Sequence, residues 1–174
     1  MYQLFSVLLS IMPSQSIKEC DRCVATTKSG ARCRRRTCRG EKCWIHLKSQ
    51  DNLRVKRSGI ANAGLGLYAL KKLKKNEKIA AYKGDHLTKA QFDARYPGKG
   101  TAEYVFCGNS KNCIDGRKTS SSVARFSNDA RGSRMRNNAR LTWDGRRRQA
   151  FIKASTSIPK DREILTGYGR TYWA

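Results

Sequence analysis

Carboxylates are scarce in this chain. Its 174 residues hold 13 Asp+Glu against 37 Lys+Arg, a formal charge of +24. Residues 18–58 carry +9 and residues 59–174 carry +15. Both parts are basic, which excludes a basic tail hung on a neutral body. Such a field draws polyanions: DNA, RNA, nucleosomes or acidic protein patches. A solubilising surface is the simpler reading of the same charge.

Long apolar runs are missing too. Met1–Pro13 (MYQLFSVLLSIMP) is uncharged, yet it falls short of the roughly 20 apolar residues that a bilayer-spanning helix needs. It lacks the basic start and small-residue cleavage site of a signal peptide, and Met12 offers an alternative start. No membrane association is expected. No segment repeats another. Histidine is confined to His46 and His86, and His86, with no evident partner, reads as a surface residue.

The length allows one main domain with one real core and a small appendage. The expected division is a disordered leader (1–17), a Cys/His module (18–48) and a main domain (49–174), with Ser49–Asn52 as a polar linker. Five of the seven cysteines fall between Cys20 and Cys43. His46 follows closely, and the surroundings are Arg/Lys-rich with little apolar content. Both features suit metal ligation in a reducing compartment. Cys23, Cys33, Cys43 and His46 run Cys-x9-Cys-x9-Cys-x2-His. Three thiolates and an imidazole supply the tetrahedral donors of a structural Zn²⁺, with no position left open for a substrate. Lys28-Ser29-Gly30 makes the turn that brings Cys33 back, and metal binding supplies the folding free energy. Cys20 and Cys38 are spare, with Cys20-x2-Cys23 as an alternative ligand pair; free thiols or a disulfide are the competing readings. Arg34-Arg35-Arg36 and Arg39 read as a nucleic-acid contact or as a solvated face.

The main domain reads as mainly β. Strands are expected at 54–57, 67–70, 78–82, 103–107, 112–115, 139–143, 149–154 and 163–166. Thr88–Arg95 is the best helix, closed by Pro97 and Gly98. Asp144-Gly145 is expected to turn a hairpin. Cys107 and Cys113 are expected to face each other, reduced, across another.

Several motifs follow in order. Gly64-Leu65-Gly66-Leu67-Tyr68-Ala69 comes first, then Ala81-Tyr82-Lys83-Gly84. Next are Ala124-Arg125-Phe126-Ser127-Asn128-Asp129 and Asn137-Asn138-Ala139. Last are Glu163-Ile164-Leu165-Thr166-Gly167-Tyr168-Gly169 and Tyr172-Trp173. In this order, from Leu53 to Trp173, the chain resembles the SET-domain protein-lysine methyltransferases, most of all the compact viral and microbial type. The resemblance implies a SET fold: small β-sheets with a threaded, pseudoknot-like C-terminal segment, here preceded by a small zinc module. It implies methyl transfer from S-adenosylmethionine to a protein lysine.

Residue by residue, the resemblance places Ala63, Gly64, Leu65 and Gly66 against the cofactor. Asn128 would bind the cofactor's amino-acid end, and the backbone of Asp129 its adenine. Tyr104, Phe126 and Trp173 would line the pockets. Tyr82 would line the lysine channel, and Tyr168 would stand at the methyl-transfer point. Three positions depart from the pattern. Asn128-Asp129 replaces the usual Asn-His, Gly167 stands where Asp is frequent, and Thr166 replaces an aromatic that often limits methyl number, which leaves room for di- or trimethylation. The implied substrate is a histone tail or another nuclear or viral protein. The implied setting is a nucleus, chromatin or viral factory, and a homodimer is compatible. The competing readings are a zinc-containing nucleic-acid-binding protein on a catalytically degenerate SET-like scaffold, and a module that reads basic tails without chemistry.

Overall fold

The computed structural model describes residues 20–98, 102–169 and Tyr172; the leader 1–17 and Trp173 lie outside them. The first part is small and built around its cysteines. Strands β1 (Asp21–Arg22) and β2 (Arg36–Thr37) pair antiparallel. Cys23, Cys33 and Cys43 are buried with Ala25, and Ile45 packs against them. A single turn, α1 (Trp44–His46), continues as a π-helical turn over Leu47–Asp51. Asn52, in the left-handed region at φ 54°, ends it, a conformation Asn tolerates better than most residues.

The remaining strands form three small sheets. Strands β3 (Leu53–Arg57) and β4 (Leu65–Ala69) make a hairpin in register from Leu53↔Ala69 to Arg57↔Leu65. Then come β5 (Lys78–Tyr82), β6 (Asp85–Thr88), the helix α2 (Lys89–Arg95), β7 (Val105–Cys107) and β8 (Asn112–Asp115). Last are β9 (Ala139–Asp144) and β10 (Gln149–Ala154). The strand orders are β5-β10-β9 and β6-β8-β7. Along β10 the side chains alternate as a half-buried strand requires: Ala150, Ile152 and Ala154 are buried and Gln149 is exposed. Helix α2 begins where Thr88 and Gln91 close a reciprocal capping box. Leu53, Leu67, Ile114, Ile152, Ile158 and Ile164 are the largest fully buried apolar side chains. Truncating one of them to Ala would cost about 2–5 kcal/mol. No helix among the described residues is long and apolar enough to cross a membrane.

Four expectations need correction. Residues 163–166 form no strand, because the segment changes partner at nearly every residue. Glu163 bridges to Tyr68 and Thr166 to Ala139, while Ile164 N–H donates to Leu67 O at 2.7 Å. The hairpin β9–β10 closes on Asp144↔Gln149, so its loop holds four residues rather than an Asp-Gly pair. Asp144 Oδ1 accepts the Arg147 N–H at 3.2 Å. Cys20 is disulfide-bonded to Cys38 and cannot share a metal with Cys23. Cys107, directly opposite Cys113 in the β7–β8 register, is bonded to it rather than reduced.

The Cys/His part packs on residues 118–123. Gly40 donates its N–H to Thr119 O at 2.8 Å. A Cβ at Gly40 would stand 2.4 Å from Val123 Cγ1, so this position accepts only glycine. Asp21 takes Lys118 at 2.9 Å and a short hydrogen bond from Ser120. Lys83 pairs with Glu41 at 2.8 Å.

Candidate active site and metal centre

The glycine turn joins β3 to β4 and is held by Ser58 N–H donating to Gly64 O at 2.9 Å. Gly64 sits at φ +67°, and a Cβ there would meet nothing within 4 Å. The turn therefore offers bare backbone to open space. Gly66 is glycine for a different reason: its Cβ would lie 2.1 Å from Glu163 Oε1. That vacancy admits a carboxylate from the far end of the chain. Glu163 accepts Ser58 Oγ at 2.7 Å, Gly59 N–H at 2.8 Å and Tyr68 OH at 3.0 Å. Burial and then Glu163 push the Tyr68 hydroxyl up to about 12. Glu163, Tyr68, Arg125 and Tyr172 carry no role in the family resemblance, and nothing in the sequence signals that Glu163 fills the space beside Gly66.

Asn128 joins this turn to the C-terminal segment. Its Nδ2 donates to Leu65 O at 2.9 Å, and its backbone O accepts Thr166 N–H at 2.8 Å. Among the described residues its Oδ1 has no hydrogen-bond donor. Asn138 grips the same segment: Nδ2 donates to Glu163 O at 2.8 Å and Oδ1 accepts Leu165 N–H at 3.0 Å. Residues 163–168 thus pass between β4 on one side and the Asn128 and Asn138 loop ends on the other. Asp129 uses its carboxylate within the fold. Oδ1 accepts Arg131 N–H at 3.0 Å and Asn137 Nδ2 at 2.9 Å; Oδ2 accepts Tyr168 N–H at 2.8 Å. Thr166 is 1% exposed and its hydroxyl is hydrogen-bonded to Ser127 Oγ, so its polar end is committed to the fold.

An aromatic cluster surrounds the segment's end. Tyr168 OH donates to Ser127 O at 3.2 Å, and its ring meets Tyr172 edge-on at 4.7 Å between centroids. Tyr82 is buried at the end of β5, and its OH donates to Tyr104 O at 2.8 Å. Tyr104 holds the left-handed region at φ 62°, an uncommon conformation for a bulky residue and a marker of local strain. Burial raises both Tyr82 and Tyr168, and Tyr172 and Tyr82 act in the same direction on Tyr168. Phe126 and Arg125 come from a 3₁₀ turn, Val123–Phe126. Arg125 is 5% exposed; its guanidinium lies 3.9 Å from the Tyr104 ring centroid and 5.3 Å from that of Phe126. Burial pulls its pKa down. Its Nε has no partner among the described residues. Of the expected site residues in this domain, Tyr82, Tyr104, Asn128, Asp129 and Tyr168 are thus linked to neighbouring elements by these contacts, and Phe126 packs in the core. Ala63 lies in the glycine turn, its N–H donating to Ile60 O at 3.3 Å.

The second cluster holds Cys23, Cys33, Cys43 and His46. Their ligand atoms all lie within 4.8 Å of one another. His46 Nδ1 stands 3.6 Å from Cys23 Sγ and 3.4 Å from Cys43 Sγ. A zinc tetrahedron with Zn–S of about 2.3 Å and Zn–N of about 2.0 Å has edges of roughly 3.5 Å. The donors therefore fit that ion. Backbone N–H groups support the sulfurs: Cys43 N to Cys23 Sγ at 3.2 Å and Arg35 N to Cys33 Sγ at 3.4 Å.

The SET-domain family profile matches residues 64–169, more than half of the chain. The chain belongs to the SET-domain family. Its SET fold superposes on Chaetomium thermophilum Polycomb Repressive Complex 2 in an autoinhibited conformation bound to S-adenosylmethionine. There the TM-score is 0.56 and the identity 16%, over 72% of this chain and 16% of that one. A humanized mutant of the same complex, bound to an inhibitor, gives 0.54 and 16% over 67% of this chain and 15% of that one. This SET-domain chain thus spans about one sixth of the length of those proteins, and the likeness is one of fold. Among curated proteins none matches the sequence.

Proposed function

We propose that this SET-domain chain transfers a methyl group from S-adenosylmethionine to the side-chain amine of a protein lysine. The observation that carries the reading is the junction at Asn128, which ties the Gly64–Gly66 turn to the segment bearing Tyr168. Three segments distant in sequence thus meet at one residue. S-adenosylmethionine, when bound, supplies an electrophilic methyl on a sulfonium. The open face above Gly64 and the free Asn128 Oδ1 suit its amino-acid end: bare backbone permits close approach, and a lone acceptor suits an ammonium. Ala63, Leu65 and Gly66 complete that wall. Asp129 contributes backbone groups, since its carboxylate is spent within the fold. Phe126 and Tyr104 close the pocket.

The lysine must arrive neutral. A channel lined by the buried Tyr82 and Tyr168 disfavours an ammonium, as desolvation does for any buried lysine. Its Nζ lone pair forms the N–C bond as the S–C bond breaks, and the ammonium product then loses its proton to water. Tyr168 OH donates to Ser127 O, which orients the hydroxyl oxygen as an acceptor for weak contacts to the methyl hydrogens. Alignment supplies much of the rate, as in any in-line displacement between held partners.

In this reading residues 18–48 form a zinc module in which Cys23, Cys33, Cys43 and His46 hold one structural Zn²⁺, and residues 49–174 form the catalytic domain. One structure of the fold neighbour holds H3 ligands, which supports a histone tail as substrate. The +24 charge fits an enzyme that rides on DNA, RNA or nucleosomes in the nucleus, on chromatin or in a viral factory, alone or as a homodimer. A second reading, a nucleic-acid-binding protein on an inactive scaffold, is favoured by Asp129, whose carboxylate replaces an imidazole. Calorimetric titration with S-adenosylmethionine separates them. Saturable heat that Asn128→Ala weakens supports the enzyme; no heat supports the scaffold.

A further inference from the structure

Trp44 is the most exposed large hydrophobic residue among those described, at 70% of its surface, ahead of Val24 at 51% and Met135 at 40%. It stands immediately after the ligand Cys43 and opens the one-turn helix α1. The neighbouring Ile45 packs into the cysteine core, whereas Trp44 does not. Arg34 and Arg35 follow the ligand Cys33 in the same way. The ligand atoms lie within 4.8 Å of one another, so Trp44 and the Arg34-Arg35 pair each follow directly in sequence on a residue of one compact cluster.

The arginines of this part divide into two sets. Arg22, Arg32 and Arg36 donate to the main-chain oxygens of Cys33 at 2.9 Å, Cys23 at 3.1 Å and Cys20 at 2.7 Å; they build the module. Arg34, Arg35 and Arg39 are exposed, and among the described residues none of them meets a carboxylate. The two described carboxylates between 20 and 48, Asp21 and Glu41, are already paired with Lys118 and Lys83. The module that exposes Trp44 therefore also exposes unneutralised positive charge, which disfavours an apolar protein partner and favours a polyanion.

An exposed indole on the same small module as arginines that meet no carboxylate among the described residues matches the chemistry of unpaired bases, which stack on a ring while cations track the phosphates. A duplex keeps its bases stacked inside and has no such use for the ring. We infer that Trp44, with Arg34, Arg35 and Arg39, forms a stacking platform for single-stranded nucleic acid. The platform deepens the polyanion reading of the basic surface and stands apart from methyl transfer.

The test uses the full zinc-loaded chain, a fluorescent oligothymidylate of roughly 15 nucleotides and a duplex of about equal length. Anisotropy is measured over a range of salt. Trp44→Ala should weaken oligothymidylate binding roughly five-fold or more and leave the duplex and the salt slope nearly unchanged. Trp44→Phe should restore part of the loss. Arg34→Ala combined with Arg35→Ala should weaken both probes and reduce the single-strand salt slope by about 1.4. If Trp44→Ala proves misfolded by zinc content or Tm, the difference in intrinsic fluorescence between wild type and Trp44→Phe replaces it, and oligothymidylate should quench that difference. Unchanged single-strand affinity, which would leave the ring to a protein partner, overturns the platform. So does an equal loss on the duplex, or a Trp44 signal that oligothymidylate does not quench. None of these outcomes bears on methyl transfer, which S-adenosylmethionine titration reads separately.

Discussion

Asp129 Oδ2 accepts the backbone N–H of Tyr168 at 2.8 Å, across 39 residues of chain. The same carboxylate holds Arg131 N–H and Asn137 Nδ2 on its other oxygen. These three partners are donors, so an amide at this position must set one N–H against another. Asp129→Asn should keep the loop bonds and release Tyr168, because two donors outweigh one. Hydrogen bonds to a charged group are worth about 1.5–3 kcal/mol. Turnover should fall by roughly ten-fold or more, while affinity for S-adenosylmethionine stays within about three-fold. Steady-state kinetics beside calorimetry checks this; an equal loss in both would make Asp129 a general brace for the cleft.

Tyr68 gives the protein an alkaline limit. Its hydroxyl, donating to Glu163 and to Arg57 O, is raised from the ordinary 10 to about 12 by burial and then by Glu163. The folded state holds this proton more tightly than the unfolded state does. The resulting stability is fully present below pH 10 and is lost as pH rises towards about 12. Buried Tyr82 and Tyr168 are shifted in the same direction. Denaturant midpoints should therefore fall on going from about pH 9 to pH 11, and Tyr68→Phe should flatten part of that slope. A wild-type midpoint that stays level across this range would contradict the assignment.

Much of this fold was legible in the sequence, for identifiable reasons. Strands β3 and β9 alternate apolar and polar residues, their partners β4 and β10 run more continuously apolar, and Thr88 caps α2. Strand β6 was missed because Asp85-His86-Leu87-Thr88 buries one residue, Leu87, too little for a period to register. The 3₁₀ turn at Val123–Phe126 was missed because it buries an arginine, which no hydropathy pattern predicts. The motif order pointed to the meeting of Gly64, Asn128 and Tyr168. It did not show that Glu163 fills the space a Gly66 side chain would take, or that Cys20 is bonded away from Cys23. Both depend on segments brought together only by the fold.

Zinc should be stoichiometric and structural. One ion per chain is expected by native mass spectrometry, and Cys33→Ser should release it. Protection from hydrogen exchange over residues 20–48 should then collapse, since little besides the cysteines forms that core. The Gly40–Val123 contact should pass part of the loss to the turn carrying Phe126. A Cys33→Ser chain with normal zinc content would refute the ligand set.

The methylated product should include di- or trimethyl-lysine. Thr166 brings no ring to its position, and its hydroxyl is committed to Ser127. Mass spectrometry of a modified substrate decides the point; monomethyl-lysine as the sole product would rule the expectation out.

The central claim is settled most directly by transfer of a radiolabelled methyl group from S-adenosylmethionine onto nucleosomes and a mixed protein extract. Wild type should label a lysine. Tyr168→Phe should lower turnover or change the product, and Asn128→Ala should chiefly weaken cofactor affinity. No labelling by the wild type, or labelling by both variants indistinguishable from it, would contradict the account.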